Sequence, residues 1–219
     1  MRESFRADLA ELTRILVTMG ECARAAMSAA TASLLEADRP VAEQVVIADD
    51  ELDELYRLVD DKTYELLARQ APVATDLRVI VTGLHVAGNL ERMGDLAQHV
   101  AKIALLRHPQ QAVPAELTAV FTEMAKIADA LAAKVIDVLA SHDATRAAEL
   151  DRDDDAMDAL HRQMFTILLS PEWRHSVEAA VDGALLGRFY ERYADHAVNA
   201  GRQVVYLVTG EPQPAERAL

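Results

Sequence analysis

Residues 89–99 read N-L-E-R-M-G-D-L-A-Q-H, and residues 189–199 repeat the same motif in the sequence F-Y-E-R-Y-A-D-H-A-V-N. In each copy two carboxylates are four residues apart, first Glu91 and Asp95, then Glu191 and Asp195. Positions i and i+4 lie above one another on the same face of a helix, so each copy presents two carboxylates side by side. A motif that is repeated at a fixed interval predicts two structural units of similar fold.

A second carboxylate pair precedes each copy. Asp49 and Asp53 precede the first copy, and Asp154 and Asp158 precede the second. The two pairs are 105 positions apart. In a three-helix bundle the second helix runs beside the third, so each preceding pair can face the pair of its own copy. We call Asp49, Asp53, Glu91 and Asp95 the first carboxylate site, and Asp154, Asp158, Glu191 and Asp195 the second carboxylate site. Four carboxylates closing on one point suit a hard or borderline divalent cation, with His99 as a further ligand at the edge.

Acidic pairs at this spacing also arise by chance, because the chain holds 36 acidic residues. The exposed faces of Asp61 with Glu65 and of similar pairs illustrate this simpler interpretation. A like-charge pair costs a helix about 0.2–0.5 kcal/mol, so four pairs at matching places require compensation. A metal ion can supply it, and so can Arg92 and Arg192, which each precede the aspartate of their own copy by three residues.

The composition of the 219 residues predicts an all-α fold. Hydrophobic residues make up 51% of the chain but aromatic residues only 5%, with 8 Gly and 7 Pro, as in Ala- and Leu-rich helices. Breaks at proline and turn residues divide it into six long helices, near 4–36, 41–69, 75–107, 115–140, 144–168 and 175–208. Thr75 or Asp76 is the predicted cap of the third.

Short turns between helices of this length predict two tandem antiparallel three-helix bundles related by a pseudo-twofold repeat. The first repeat is assigned to residues 1–108 and the second to residues 113–210. The segment 108–114, which carries two prolines, is the best linker candidate. Residues 211–219 are expected to form a flexible tail.

Charge and motifs exclude several classes of protein. The formal charge is −14 with no basic run, so nucleic acid is not an expected partner. No secretory signal and no 18-residue apolar run is found, which predicts a soluble, intracellular chain without direct membrane insertion. The single cysteine, Cys22, cannot form an internal disulfide. No phosphate loop, G-x-S-x-G elbow or H-E-x-x-H motif is present, so nothing indicates a nucleophilic enzyme.

Three motifs resemble the PhoU family of bacterial phosphate-uptake regulators, and the resemblance covers nearly the whole chain. Residues 69–78 read R-Q-A-P-V-A-T-D-L-R, residues 90–95 read L-E-R-M-G-D, and residues 190–196 read Y-E-R-Y-A-D-H. The resemblance implies a cytoplasmic, non-enzymatic negative regulator of phosphate uptake and of the phosphate-starvation response. Its implied partners are the ATPase subunit of the phosphate ABC transporter, a sensor histidine kinase and a second copy in a homodimer.

Some members of that family carry iron or zinc clusters on repeated D/E-x-x-x-D motifs, which map here onto the two carboxylate sites. The possible ions are Fe, Zn, Mn or Mg. The chain departs from the family pattern at His99, where Asn is common, and at Tyr193 with Ala194 in the second copy. A ferritin-like carboxylate di-metal oxidoreductase is an alternative, although those enzymes use a Glu-x-x-His spacing that Glu91 and Glu191 lack. A metal-free helical adaptor is a third.

Overall fold

Seven helices form the protein in a computed structural model that describes residues 2–211. They are α1 (Arg2–Glu36), α2 (Arg39–Gln70), α3 (Ala74–Arg107), α4 (Ala115–Ser141), α5 (Ala144–Ala148), α6 (Leu150–Leu168) and α7 (Val177–Thr209). The described residues contain no strand. The all-α prediction is confirmed, and α5 with α6 occupies the place of the predicted fifth helix, interrupted at Glu149. The tail predicted over 211–219 lies, beyond Glu211, outside the described residues.

The ends of the helices follow local chemistry. Asp38 caps α2 by accepting a hydrogen bond from the backbone N–H of Val41, and Pro40 occupies the first turn. Ser176 caps α7 in the same way. The predicted cap of α3 is wrong, because α3 begins at Ala74 after Val73, which makes no side-chain capping bond. The extended backbone of Val73 sets that boundary without a polar side chain.

The two repeats pack as antiparallel partners about a pseudo-twofold axis. The start of α3 meets the end of α7, where Arg78 lies 5.7 Å from the ring centroid of Tyr206. The end of α3 meets the start of α7, where Arg107 pairs with Asp182. In α1 and α4, Arg24 and Asp129 pair bidentately at 2.6 and 2.8 Å. These two residues are 105 positions apart, so equivalent positions of the two repeats meet on the axis.

One continuous hydrophobic core joins both repeats. Two fully buried tyrosines of α7 reach into the first repeat: the Tyr193 hydroxyl donates to the carbonyl of Ala23 at 3.2 Å, and the Tyr190 hydroxyl lies 2.6 Å from that of Thr31. The segment 108–114 also packs on this core, because Val113 is buried. It is therefore a packed connection between repeats, and the division into residues 1–108 and 113–210 stays a prediction.

Candidate functional site

The first carboxylate site lies on the groove between α2 and α3. The side-chain amide of Gln98 in α3 donates to the carbonyl of Val46 in α2 at 3.3 Å, which aligns the two antiparallel helices. At Gly94 the side chains of α2 leave no room for an added Cβ, which would overlap Leu52 Cδ2 and lie 3.3 Å from Asp49 Oδ1. This alignment brings Asp49 level with Asp95, as the spacing predicted.

The carboxylates of this site repel one another. Burial raises the pKa of Asp49 above its ordinary value, and the charges of Asp95 and Asp53 raise it further. Burial likewise raises the pKa of Glu91, and the nearby charge of Asp95 adds to the effect. The ion pair between Arg92 and Asp95, at 2.7 Å, offsets part of this repulsion, as the sequence suggested. The first carboxylate site is thus a half-buried, net negative cluster.

The second carboxylate site repeats the arrangement with different basic partners. Burial raises the pKa of Glu191, and the charge of Asp158 raises it further against the opposite effect of Arg188. Arg188, not Arg192, forms the ion pair with Glu191. Arg192 instead lies 3.5 Å from His196 Nε2 at the junction of the two repeats. The pairing of Arg92 with Asp95 thus matches the expected compensation, and in the second site Arg188 is a further cation that the spacing did not indicate.

Histidines occupy the margins of both sites. His99 lies one turn beyond Asp95, where its Nδ1–H donates to the Asp95 carbonyl at 2.7 Å and its ring packs 5.2 Å from that of Phe189. His196 faces the Asn89 side-chain oxygen at 3.0 Å, and burial lowers its pKa to about 4. His196 is therefore neutral at pH 7, and this imidazole is part of the packing between α3 and α7.

From the sequence, His161 is expected to be a surface or packing residue, and the structure places it near Asp158 of the second carboxylate site. It lies in α6 three residues after Asp158, and its ring packs against α7 at Gly187. Burial lowers its pKa, and its buried Nε2 has no hydrogen-bond partner among the described residues. The corresponding position of the first repeat is Tyr56, so this histidine has no counterpart at the equivalent position of the first repeat. The D-x-x-H spacing of 158–161 was the available signal.

The residue types at each site are ones that bind divalent cations. Within the described residues 2–211, however, no group of three or more His, Cys, Asp or Glu side chains is arranged so that it could hold a metal ion. Each site still holds half-buried carboxylates from two antiparallel helices, and a bound cation would remove the repulsion that raises the pKa of Asp49 and Glu91. Binding would require carboxylates such as Asp95 to rotate away from their arginines.

Replacing Asp49 by Asn is expected to raise the melting temperature in the presence of chelator. A carboxyl whose pKa is higher in the folded than in the unfolded protein destabilises the fold once it is ionised, and that cost disappears as the pH falls through the folded pKa. The neutral amide removes the cost at pH 7, worth about 0.5 kcal/mol or about 1–2 °C. Asp61→Asn, at an exposed position of α2, is the control. Equal melting temperatures for the Asp49 variant and wild type would contradict the repulsion.

Comparison with known proteins identifies the class to which this architecture belongs. The "PhoU domain" family model matches residues 16–104 and again 121–204, once for each repeat. The crystal structure of PhoU from Pseudomonas aeruginosa superposes with a TM-score of 0.84 at 27% identity, covering 94% of this chain and 100% of that one. The regulatory protein PhoU from Streptococcus pneumoniae, at 24% identity, shares the fold with a TM-score of 0.87 and coverage of 96% and 99%.

Curated relatives extend over nearly the full length. The chain is 47% identical over 210 residues to "Phosphate-specific transport system accessory protein PhoU homolog 2" of Mycobacterium tuberculosis, covering 96% of this chain and 99% of the relative. It is 44% identical to PhoU homolog 1 of Mycobacterium leprae, with coverage of 96% and 95%. The fold and both halves thus define a two-repeat helical protein of the transport-accessory class. The chain belongs to the PhoU family.

Proposed function

We propose that this chain is an accessory regulator of phosphate uptake that acts by binding other proteins. The observation that carries the proposal is the family match in both repeats, together with relatives named as phosphate transport accessory proteins along nearly their whole length. In this proposal the chain restrains phosphate import and the phosphate-starvation response. It does so in the cytoplasm, by coupling the transporter ATPase subunit to a sensor histidine kinase.

The physical character of the surface supports a docking role. None of the described helices is long and apolar enough to cross a membrane. The formal charge of −14 favours contact with basic surfaces of partners. Apolar side chains lie exposed at equivalent positions of the repeats, as on α3 at Leu77 and Val81 and on α7 at Val177 and Val181. Long helices with exposed apolar residues suit recognition of partner helices.

Deletion of the gene is the direct test. In cells supplied with ample phosphate, loss of the chain should raise expression of phosphate-starvation genes, and the wild-type chain supplied in trans should restore repression. Co-purification should recover the kinase or the ATPase subunit, and sedimentation should show whether the chain is the homodimer that we propose. An unchanged starvation response, with turnover of Fe²⁺ by the purified chain, would favour the di-metal oxidoreductase.

We also propose that the two carboxylate sites bind divalent or transition-metal ions. Protein purified without chelator should contain metal, and the variants Glu91→Ala/Asp95→Ala and Glu191→Ala/Asp195→Ala should each lose the share held at their own site. Elemental analysis measures this. The control is Asp61→Ala/Glu65→Ala, an exposed pair on α2 with the same spacing. Equal metal content in all variants would leave both sites as structural clusters and favour the metal-free adaptor.

A further inference from the structure

An open groove runs between the second half of α1 and the first half of α2. Its volume is about 260 Å³, and its walls are mostly small apolar residues, including Cys22, Ala26, Ala29 and Val45. No Lys, Arg or His lines it, whereas Asp49 and Glu51 do. The groove thus combines an apolar interior with an acidic edge.

The second repeat shows why the groove is open. The four wall residues named above each correspond, 105 positions later in the chain, to a larger residue. These are Ile127, Leu131, Lys134 and Leu150. Leu131 and Leu150 are buried in the shared core. Protein interiors are close-packed, so the smaller side chains of the first repeat leave space that the second repeat fills from within.

A lysine occupies the equivalent place in the second repeat. Lys134, at the position of Ala29, pairs with Glu149 at 2.9 Å and with Asp153 at 2.5 Å, and only 19% of its side chain is exposed. The positions equivalent to these two carboxylates, Gln44 and Ala48, also line the groove. The molecule therefore contains an internal example of what fits between these helices, an alkyl chain that ends in a cation.

The groove of the first repeat keeps the negative charge without an internal cation. Burial raises the pKa of the Cys22 thiol, and the charges of Glu51 and Glu21 raise it further. Both carboxylates are therefore close enough to act on the groove wall. Neither forms an ion pair with another described residue within 4.0 Å.

We propose that this groove docks an amphipathic helix of a partner protein, whose small apolar face lies against α1 and α2 and whose Lys side chain reaches Glu51. Small residues on α1 and α2 allow a further helix to approach closely, and the acidic edge selects a basic one. A second copy of this chain is a poor occupant because its sequence has no basic run that could supply the cationic helix. The inference rests on the proposed function only in that the chain acts by binding proteins.

Binding of a synthetic helix tests the proposal in vitro. The probe is a fluorescein-labelled 18-residue peptide with an Ala/Leu face and Lys residues beside it, compared with a peptide in which Glu replaces each Lys. Fluorescence anisotropy should show saturable binding of the Lys peptide only. Glu51→Gln should weaken it about fivefold, as expected for a partly exposed ion pair. Glu54→Gln, at an exposed neighbouring position of α2, should leave it unchanged.

Two filling variants complete the test. Ala29→Lys and Cys22→Ile introduce the side chains that the second repeat carries at these positions. Both positions line the open groove, so the larger side chains have space there, and circular dichroism verifies that both variants fold. Each should abolish peptide binding. Complementation of the deletion phenotype is measured separately, because it tests the proposed function, whereas peptide binding tests the groove. Wild-type affinity in both variants would overturn the proposal. So would a wild-type dimer that Ala29→Lys dissociates, because a second copy would then occupy the groove.

Discussion

Replacement of Arg107 by Leu is expected to lower the melting temperature by about 10 °C. Arg107, at the end of α3, holds Asp182 of α7 with two bonds, at 2.5 Å from Nε and 3.1 Å from Nη2. Only 7% of the Asp182 side chain is exposed. Removing the guanidinium leaves a buried carboxylate without its cation, which is one of the costliest changes that a single substitution can make.

The opposite end of the α3–α7 pair suggests a second substitution that should restore the stability of the Arg107 variant. Positions equivalent to Arg107 and Asp182 are Leu207 and Thr82, so the double variant Arg107→Leu/Asp182→Thr introduces a combination already present in the fold. It should regain most of the stability, since apolar replacements of a buried ion pair are often neutral. Thermal unfolding should show a loss of about 10 °C for the single variant. Arg39→Leu, which breaks an exposed pair with Glu43, is the control and should change little.

Replacement of Gly94 by Val is expected to cost about 3 kcal/mol and to disrupt the first carboxylate site. A Cβ at Gly94 overlaps Cδ2 of the buried Leu52 side chain, so either that side chain must be displaced or α3 must move away from α2. Both changes disturb Asp49, whose Oδ1 would lie 3.3 Å from the added Cβ. Thermal unfolding measures the cost, and metal content at the first site should fall while the second site is unaffected.

Two variants distinguish crowding from a general effect of losing glycine. Gly88 lies in the same helix, but a Cβ there would only reach 4.0 Å from Tyr56, so Gly88→Val should be tolerated. Gly94→Ala/Leu52→Met copies the Ala194 and Met157 combination of the second repeat and should be close to wild type. If Gly88→Val were as destabilising as Gly94→Val, close approach of α2 and α3 would not be the cause.

Local sequence patterns were sufficient for the helices but not for their interruptions. Prolines and turn residues mark five of the breaks, and the observed helices end within a few residues of the predicted ones. The interruption at Glu149 lies within A-A-E-L, four good helix formers that no periodicity rule distinguishes from a continuous helix. There Glu149 meets Lys134 of α4, a contact that depends on the packing of two helices.

The sequence by itself determined the all-α class, the two repeats and the pairing of carboxylates along each helix, because these depend on helical periodicity and on residue spacing. The tertiary structure alone decided which cation meets which carboxylate. Arg92 reaches Asp95, whereas Arg192 lies beside His196 and leaves Glu191 to Arg188. It also decided that small side chains at Cys22 and its neighbours leave an open groove between α1 and α2. Packing between helices sets both outcomes, and spacing along one chain does not contain that information.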